Sequence, residues 1–278
     1  MRKEIEKKLC KKNGLDELYF KKNEDNLIEP LVELNNWPSI RKEIDKGSGN
    51  ELKSKFMSLA SSSAIAVNAF GFFWNSNSLL WPKVKGQFNK IYFEKKLNNG
   101  LRGTPPNIDV LIENETTIVA IECKFLETLG HKKKEFSDQY FKIKGSRRDS
   151  KWFQLMEDVY NNKDSYKYLD VAQLIKHYMG LSFDDIGSNK KLKLAYVYWE
   201  PSEIIDNEIN SIFKEHRNEC ERFGKSVKGD PVMTEVTFEY YSYFKLIDFW
   251  LSEVGGSNLE RYFEEFNRKY RLPDPQKP

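Results

Sequence analysis

Three side chains stand where they could do chemistry together: Asp109, Glu122 and Lys124, within PNIDVLIENETTIVAIECKF at residues 106–125. Ile108-Asp109-Val110-Leu111-Ile112 is an apolar run interrupted by one carboxylate. Ile118 to Phe125 is a second, interrupted by Glu122 and Lys124. Both runs are rich in β-branched residues and too short for a globular helix, so they read as strands, with Glu113-Asn114-Glu115-Thr116 as the turn. Period two puts Ile118, Ala120, Glu122 and Lys124 on one face, and Val119, Ile121, Cys123 and Phe125 on the other. Near-continuous apolar strands are covered on both faces, and a buried, uncompensated charge is expensive. A hairpin that brings Asp109 beside Glu122 makes two carboxylates repel, and a divalent cation relieves them. Mg²⁺ suits such oxygen ligands, because it binds through one or two carboxylates together with water and substrate phosphate. A lysine two residues on reaches a metal-bound water or the phosphate. This is the chemistry of metal-assisted phosphodiester hydrolysis. The plainer alternative is an edge-strand ion pair between Glu122 and Lys124 with Asp109 in solvent, but an edge strand does not need two apolar faces. Acid-X-Lys triplets recur at Glu6-Lys7-Lys8, Glu51-Leu52-Lys53, Glu94-Lys95-Lys96 and Asp149-Ser150-Lys151. Only Glu122-Cys123-Lys124 lies in an apolar strand with an aspartate on the strand before it.

Pro106-Asn107-Ile108-Asp109, twelve intervening residues, then Glu122-Cys123-Lys124 resembles the signature of the PD-(D/E)XK nuclease superfamily, the restriction-endonuclease-like proteins. The family's Pro-Asp pair is Asn107-Ile108-Asp109 here, behind Pro105 and Pro106. The resemblance implies Asp109 and Glu122 as Mg²⁺ ligands, with Mn²⁺ able to substitute and the Cys123 carbonyl as a further ligand. It implies that Lys124 orients or helps deprotonate the attacking water. Burial beside a metal lowers the pKa of such a lysine, and its partner carboxylate opposes that. The implied partner is DNA and the implied activity a metal-dependent deoxyribonuclease, a restriction-type endonuclease first. A structure-specific or exonucleolytic repair nuclease is the alternative within hydrolases. A catalytically inactive nuclease-fold binding module is the alternative of another class, and the intact trio argues against it. A homodimer stays open, since symmetric double-strand cutters usually work as dimers.

The elements that must position these groups follow from pattern. Residues 51–73 read as one long helix, with Phe56, Leu59, Ser63, Val67 and Phe70 at three- and four-residue spacing. In the family this helix packs on the sheet, and Ser62, Ser63 or Asn68 is placed to offer a polar group, although small residues also suit close packing. Ile91-Tyr92-Phe93-Glu94 reads as the first core strand. Glu94 is either a third acidic group at the site or a solvated strand end. Residues 98–104 connect into the hairpin, and Arg102 there could approach phosphate. Glu127 is a nearby acid or simply a helix-start residue. The most basic stretch contains His131, Lys132, Lys133, Lys134, Lys142, Lys144, Arg147, Arg148 and Lys151, interleaved with Phe136, Tyr140, Phe141 and Trp152. Such a stretch suits phosphate contacts and base stacking, or else a solvated loop. Residues 168–180 read as an amphipathic helix with Asp170 as cap and Gly180 as stop. Gln173 and His177 are i, i+4 neighbours on it. The resemblance makes Gln173 a candidate to hold phosphate or water. Exonuclease branches of the family show Gln-X-X-X-Tyr, and Gln173 to Tyr178 is one residue too long for that.

Lys191 to Trp199 is a strong apolar strand, and strand, crossover helix, strand implies a parallel pair. Ser202 then reads as the cap of a helix from Glu203 to about Phe223, with His216 packed on its core face. Val232–Tyr241 reads as a last strand, followed by helices at 244–254 and 258–271. The expected fold is α/β: a mixed β-sheet flanked by helices on both faces, with a restriction-endonuclease-like core. Gly47-Ser48-Gly49-Asn50 is a breaker cluster, which suggests an N-terminal helical appendage over 1–50 and a nuclease domain with a C-terminal helical elaboration over 51–278.

Composition narrows the class without choosing the function. With 39% hydrophobic, 14% aromatic and 31% charged residues, the chain is globular rather than disordered. A net charge of +3 permits nucleic-acid binding without demanding it. Three widely separated cysteines, Cys10, Cys123 and Cys220, suggest a reducing compartment without a disulfide framework or zinc site, and the expected location is cytoplasmic. The three histidines lack metal-ligand spacing. No run of about 18 apolar residues suggests a membrane span, and the start has no apolar signal-peptide core.

Overall fold

A computed structural model describes residues 1–47, 51–101, 103, 105–132, 135–142, 146–163, 165–183, 189–202, 205–230, 232 and 236–272. Helices α1 (Arg2–Lys12), α2 (Glu29–Glu33), α3 (Trp37–Asp45) and α4 (Ser62–Phe70) precede strands β1 (Lys90–Lys96), β2 (Asn107–Glu113) and β3 (Thr117–Lys124). The short α5 (Asp138–Phe141), then α6 (Lys151–Tyr160) and α7 (Val171–Phe183), cross over to β4 (Lys191–Tyr198). Next, α8 (Asn207–Val227) leads to β5 (Val236–Ser242), and α9 (Tyr243–Glu253) and α10 (Ser257–Tyr270) close the chain. The sheet has five strands in the order β1-β2-β3-β4-β5. The first three form an antiparallel meander, and β3, β4 and β5 run parallel. This is the expected mixed sheet with helices on both faces.

Side-chain alternation along β3 divides the core as the sequence pattern requires. Val119, Ile121, Cys123 and Phe125 face one layer, with Ile65 and Phe70 of α4, Ile247 and Trp250 of α9, and Phe263 and Phe266 of α10. Ile118 and Ala120 face the other, with Trp152 and Met156 of α6, Leu174 and Tyr178 of α7, and Phe223 of α8. Glu122 and Lys124 continue the parity of Ile118 and Ala120, so they point to the α7 side. Asn114 builds the hairpin turn: its Oδ1 accepts the N–H groups of Thr116 (3.0 Å) and Thr117 (2.8 Å). Ile5 and Leu9 of α1 are fully buried in the same layer as α10.

Several boundaries differ from expectation, each for a local reason. The helix expected over 51–73 is an α-helix only from Ser62. Ser61 caps it by accepting the Ala64 N–H at 3.1 Å. The residues before it pair with the N-terminal segment instead, Leu59 N–H donating to Leu18 O at 2.8 Å. Ser202 does not cap α8, because both its N–H and its hydroxyl bond Leu272 O. Asp206 caps it, accepting the Ile209 N–H at 2.8 Å. Asp170 does cap α7, accepting the Gln173 N–H at 3.0 Å. Gly180 does not stop that helix; it lets β1's end pack close, since a Cβ there would stand 2.6 Å from Leu97 Cβ. The last strand starts at Val236 rather than Val232.

Candidate active site

Asp109 sits where the meander opens. The β2–β3 ladder runs from Glu113↔Ile118 to Val110↔Ile121 and stops. On the other side, the β1–β2 ladder pairs Phe93↔Val110 and Lys95↔Ile108 and skips the rung between them, which is Glu94 opposite Asp109. Glu94 has φ +52°, a left-handed conformation uncommon for a residue with a side chain. The freed Asp109 carboxylate turns into the gap and accepts the Cys123 N–H through Oδ2 at 2.7 Å. That bond fixes Asp109 against the backbone between Glu122 and Lys124.

Glu122 is 1% exposed. Its Oε1 lies 2.5 Å from Lys124 Nζ, and its Oε2 lies 2.6 Å from His177 Nε2. Lys124 Nζ also donates to Gln173 Oε1 at 2.8 Å. Thus one turn of α7 carries two anchors, Gln173 for the lysine and His177 for the glutamate. Glu127 Oε2 accepts the Phe125 N–H at 2.8 Å and so shapes the turn that ends β3.

Electrostatics separate the two carboxylates. Burial, then the charges of Glu122 and Glu94, push Asp109 well above the usual carboxylate range. Burial also acts upward on Glu122, but Lys124 and His177 outweigh it and hold that carboxyl at about 2. Burial acts against the charge on Lys124, yet Glu122, Asp109 and Glu127 together hold the amine above its ordinary value.

These groups line a cleft of about 570 Å³ with Glu94, Asn107, Glu127 and Gln173. It is also lined by Ser61, Ser62 and Ser63 at the start of α4, with Lys55, Ser58, Tyr19 and Arg2. Among the described residues, no group of three His, Cys, Asp or Glu side chains is placed to close around an ion. The arrangement suits a hard cation that needs only one or two carboxylates and keeps its water. Glu122 Oε1 meets the Lys124 ammonium at 2.5 Å, and Asp109 is crowded by the like charges of Glu122 and Glu94. A cation beside these carboxylates would relieve that crowding.

The whole of this geometry lies inside a family match. A model for Restriction Endonuclease associating with ARP (REase-ARP) matches residues 2–271. The chain belongs to this restriction endonuclease family. No curated protein and no solved structure matches it.

In this member of a restriction endonuclease family, the structure brings together Asp109, Glu122, Lys124, Gln173 and Glu94. The Cys123 thiol points to the opposite, buried face, so only its carbonyl could serve a cation. Lys132 lies close behind the site. Burial first, and then the charge of Lys124, hold its amine below the usual range, while Asp170, Glu127 and Glu122 oppose. Arg148 is exposed and pairs with Glu157 at 3.5 Å. Arg102, Lys133, Lys134 and Lys144, and the side chain of Arg147, lie outside the described residues. Asn68 is structural: it is fully buried, accepts the Ile28 N–H, and donates to Asn26 O and Tyr270 Oη. His216 is packed as expected, with Nε2 3.0 Å from Tyr196 Oη, and Tyr178 stacks on Trp152.

Sequence reasoning gave His177 little weight, although its i, i+4 spacing from Gln173 was the available signal. Arg2, Tyr19 and Lys55 carried no signal, because they reach the cleft through contacts distant in sequence. Among the described residues, no helix is long and apolar enough to cross a membrane.

Proposed function

We propose that this chain is a Mg²⁺-dependent endonuclease that hydrolyses DNA, with Asp109 and Glu122 as the cation's carboxylate ligands and the Cys123 carbonyl as a further one. Mn²⁺ is expected to substitute. The observation that carries the reading is the buried Glu122–Lys124 pair beside Asp109 on the floor of one cleft, in a chain of a restriction endonuclease family. When bound, the cation would supply Lewis-acid polarisation of the phosphate and a more acidic water.

The protein's own groups do the rest. Lys124, held beside Glu122, is placed to orient or help deprotonate the attacking water and to stabilise the charge that develops on the phosphate. Gln173 fixes the lysine's direction and lines the cleft where it could hold the phosphate or water. Glu94 adds negative charge beside Asp109 and strengthens the field that draws a cation in. The cleft's serine hydroxyls, Lys55 and Arg2 would meet the nucleic-acid backbone, with Tyr19 exposed beside them. In this reading Arg2, Tyr19 and Lys55 form part of the substrate groove, and Lys132 adds a positive charge beside the site. Base-specific contacts, not phosphate contacts, would set any recognition sequence.

The test is digestion of supercoiled and linear DNA with Mg²⁺, Mn²⁺ or EDTA. Discrete fragments that need the metal support a restriction-type endonuclease. Degradation from free ends supports a repair-type exonuclease in its place. Binding without cutting, in every metal, contradicts the hydrolase reading and leaves a binding module.

A further inference from the structure

One buried polar group has no part in the chemistry above. His177 is 1% exposed, and its Nε2 stands 2.6 Å from Glu122 Oε2. Against a carboxylate oxygen at that distance, Nε2 carries the hydrogen and donates it. Its Nδ1 is buried without a hydrogen-bond partner among the described residues. An apolar side chain would fill the same space without leaving a nitrogen unsatisfied. The ring therefore directs its polar function at a single oxygen. The other oxygen of Glu122 faces the ammonium of Lys124 at 2.5 Å. The two carboxylate oxygens are made unequal: one is tied to α7 and one is turned to the catalytic lysine.

We propose that His177 is a positioning residue that makes Glu122 a one-oxygen ligand, and that it thereby favours Mg²⁺ over Ca²⁺. This rests on the cation site proposed above. Mg²⁺ requires near-octahedral geometry at about 2.0–2.1 Å, whereas Ca²⁺ accepts bidentate carboxylates at about 2.3–2.6 Å. A glutamate released from His177 could offer both oxygens and would suit the larger ion better. Removing a hydrogen-bond partner of a metal ligand typically costs about 10–100-fold in affinity.

Two uncharged substitutions separate positioning from packing. In His177→Gln the amide nitrogen falls near the place of Nε2 and can still donate to Glu122. In His177→Asn it falls near Nδ1, short of Glu122. Calorimetric titration of Mg²⁺ and of Ca²⁺ into the DNA-free full chain is compared for wild type, both variants and Asp109→Asn, with circular dichroism as the check on folding. We expect His177→Asn to lose about 10–100-fold in Mg²⁺ affinity and less in Ca²⁺ affinity, and His177→Gln to recover most of the difference. Wild-type affinities and ratio in His177→Asn would overturn the inference and leave the cation site standing. Equal losses for both ions without recovery in His177→Gln would overturn it too. No binding by wild type, or undiminished binding by Asp109→Asn, would remove the cation site and the inference with it. Should His177→Asn not fold, His177→Met makes the same comparison without a donor.

Discussion

Lys269 offers a sharp test of the electrostatics that join the C-terminal helix to the N-terminal wall of the cleft. It is 8% exposed, on α10, with Nζ 2.6 Å from Asn26 O and over the rings of Phe20 (5.0 Å) and Tyr270 (5.6 Å). Burial, and then the charge of Arg268, bring its amine down from 10.5 to about 7. At ~1.36 kcal/mol per pKa unit, keeping the buried amine protonated costs roughly 4–5 kcal/mol relative to a lysine in water. Between these two values the unfolded chain holds a proton that the folded protein has released, so stability rises with pH. From pH 7 to pH 9 this one group should add roughly 2 kcal/mol. Methionine removes the charge and keeps an unbranched stem that packs well on rings. The carbonyl of Asn26 would not be orphaned, because Asn68 Nδ2 also donates to it at 2.9 Å. The lost hydrogen bond offsets part of the gain, so Lys269→Met should be more stable than wild type by about 1–3 kcal/mol at pH 7. Urea denaturation of both proteins in EDTA at pH 6.5, 7.5 and 9 measures it, since other titrating groups cancel in the difference. The gap should narrow as pH rises. A less stable variant at neutral pH, or a gap that does not change with pH, would refute the reasoning.

Asp109→Asn keeps an oxygen acceptor for the Cys123 N–H but removes one of three crowded carboxylates. In EDTA its Tm should rise by about 1–3 °C by calorimetry, while Mg²⁺ should raise the Tm of wild type and leave the variant unmoved. Glu219 accepts the N–H groups of Lys167 (2.5 Å), Tyr168 (2.9 Å) and Leu169 (2.8 Å), and so fixes the entry to α7. Glu219→Ala should cost about 1–3 kcal/mol in chemical denaturation and speed hydrogen exchange at those three amides; unchanged exchange would contradict the assignment. Gly180→Ala should lower stability by about 1–3 kcal/mol, because its new methyl meets the backbone-proximal Leu97 Cβ rather than a flexible tip; a neutral result would mean that β1 and α7 slide apart easily.

Strands β2 and β3 were legible because three independent signals agree there. Period two places Glu122 and Lys124 on one face, Asn114 supplies the turn, and a charge pair in an otherwise apolar strand demands a partner. Helix α7 was legible from Asp170 and the apolar stripe, and the parallel crossover followed from strand–helix–strand order. The start of α4 was harder. Serine is as compatible with a small-residue helix interior as with a cap, and only the pairing of residues 18–20 with 57–59 decides for the cap. Likewise Ser202 looks like a cap in isolation, but its bond to Leu272 O comes from the far end of the chain. His177 could be placed beside Gln173 from spacing alone, but not against Glu122, because the rotation of α7 over the sheet is set by tertiary packing. Arg2 and Tyr19 were invisible for the same reason: they reach the cleft through packing of the N-terminal segment, which no local pattern encodes.

The central claim is that Asp109, Glu122 and Lys124 form one metal-dependent hydrolytic centre acting on DNA. The most direct measurement is single-turnover cleavage of supercoiled plasmid by wild type, Asp109→Asn and Lys124→Ala across a Mg²⁺ titration. The account predicts cutting by wild type that saturates with Mg²⁺ and stops in EDTA. Both variants should bind the plasmid and remain folded, but cut at least about 100-fold more slowly. Cleavage by either variant at the wild-type rate, or cleavage by wild type that persists in EDTA, would contradict it.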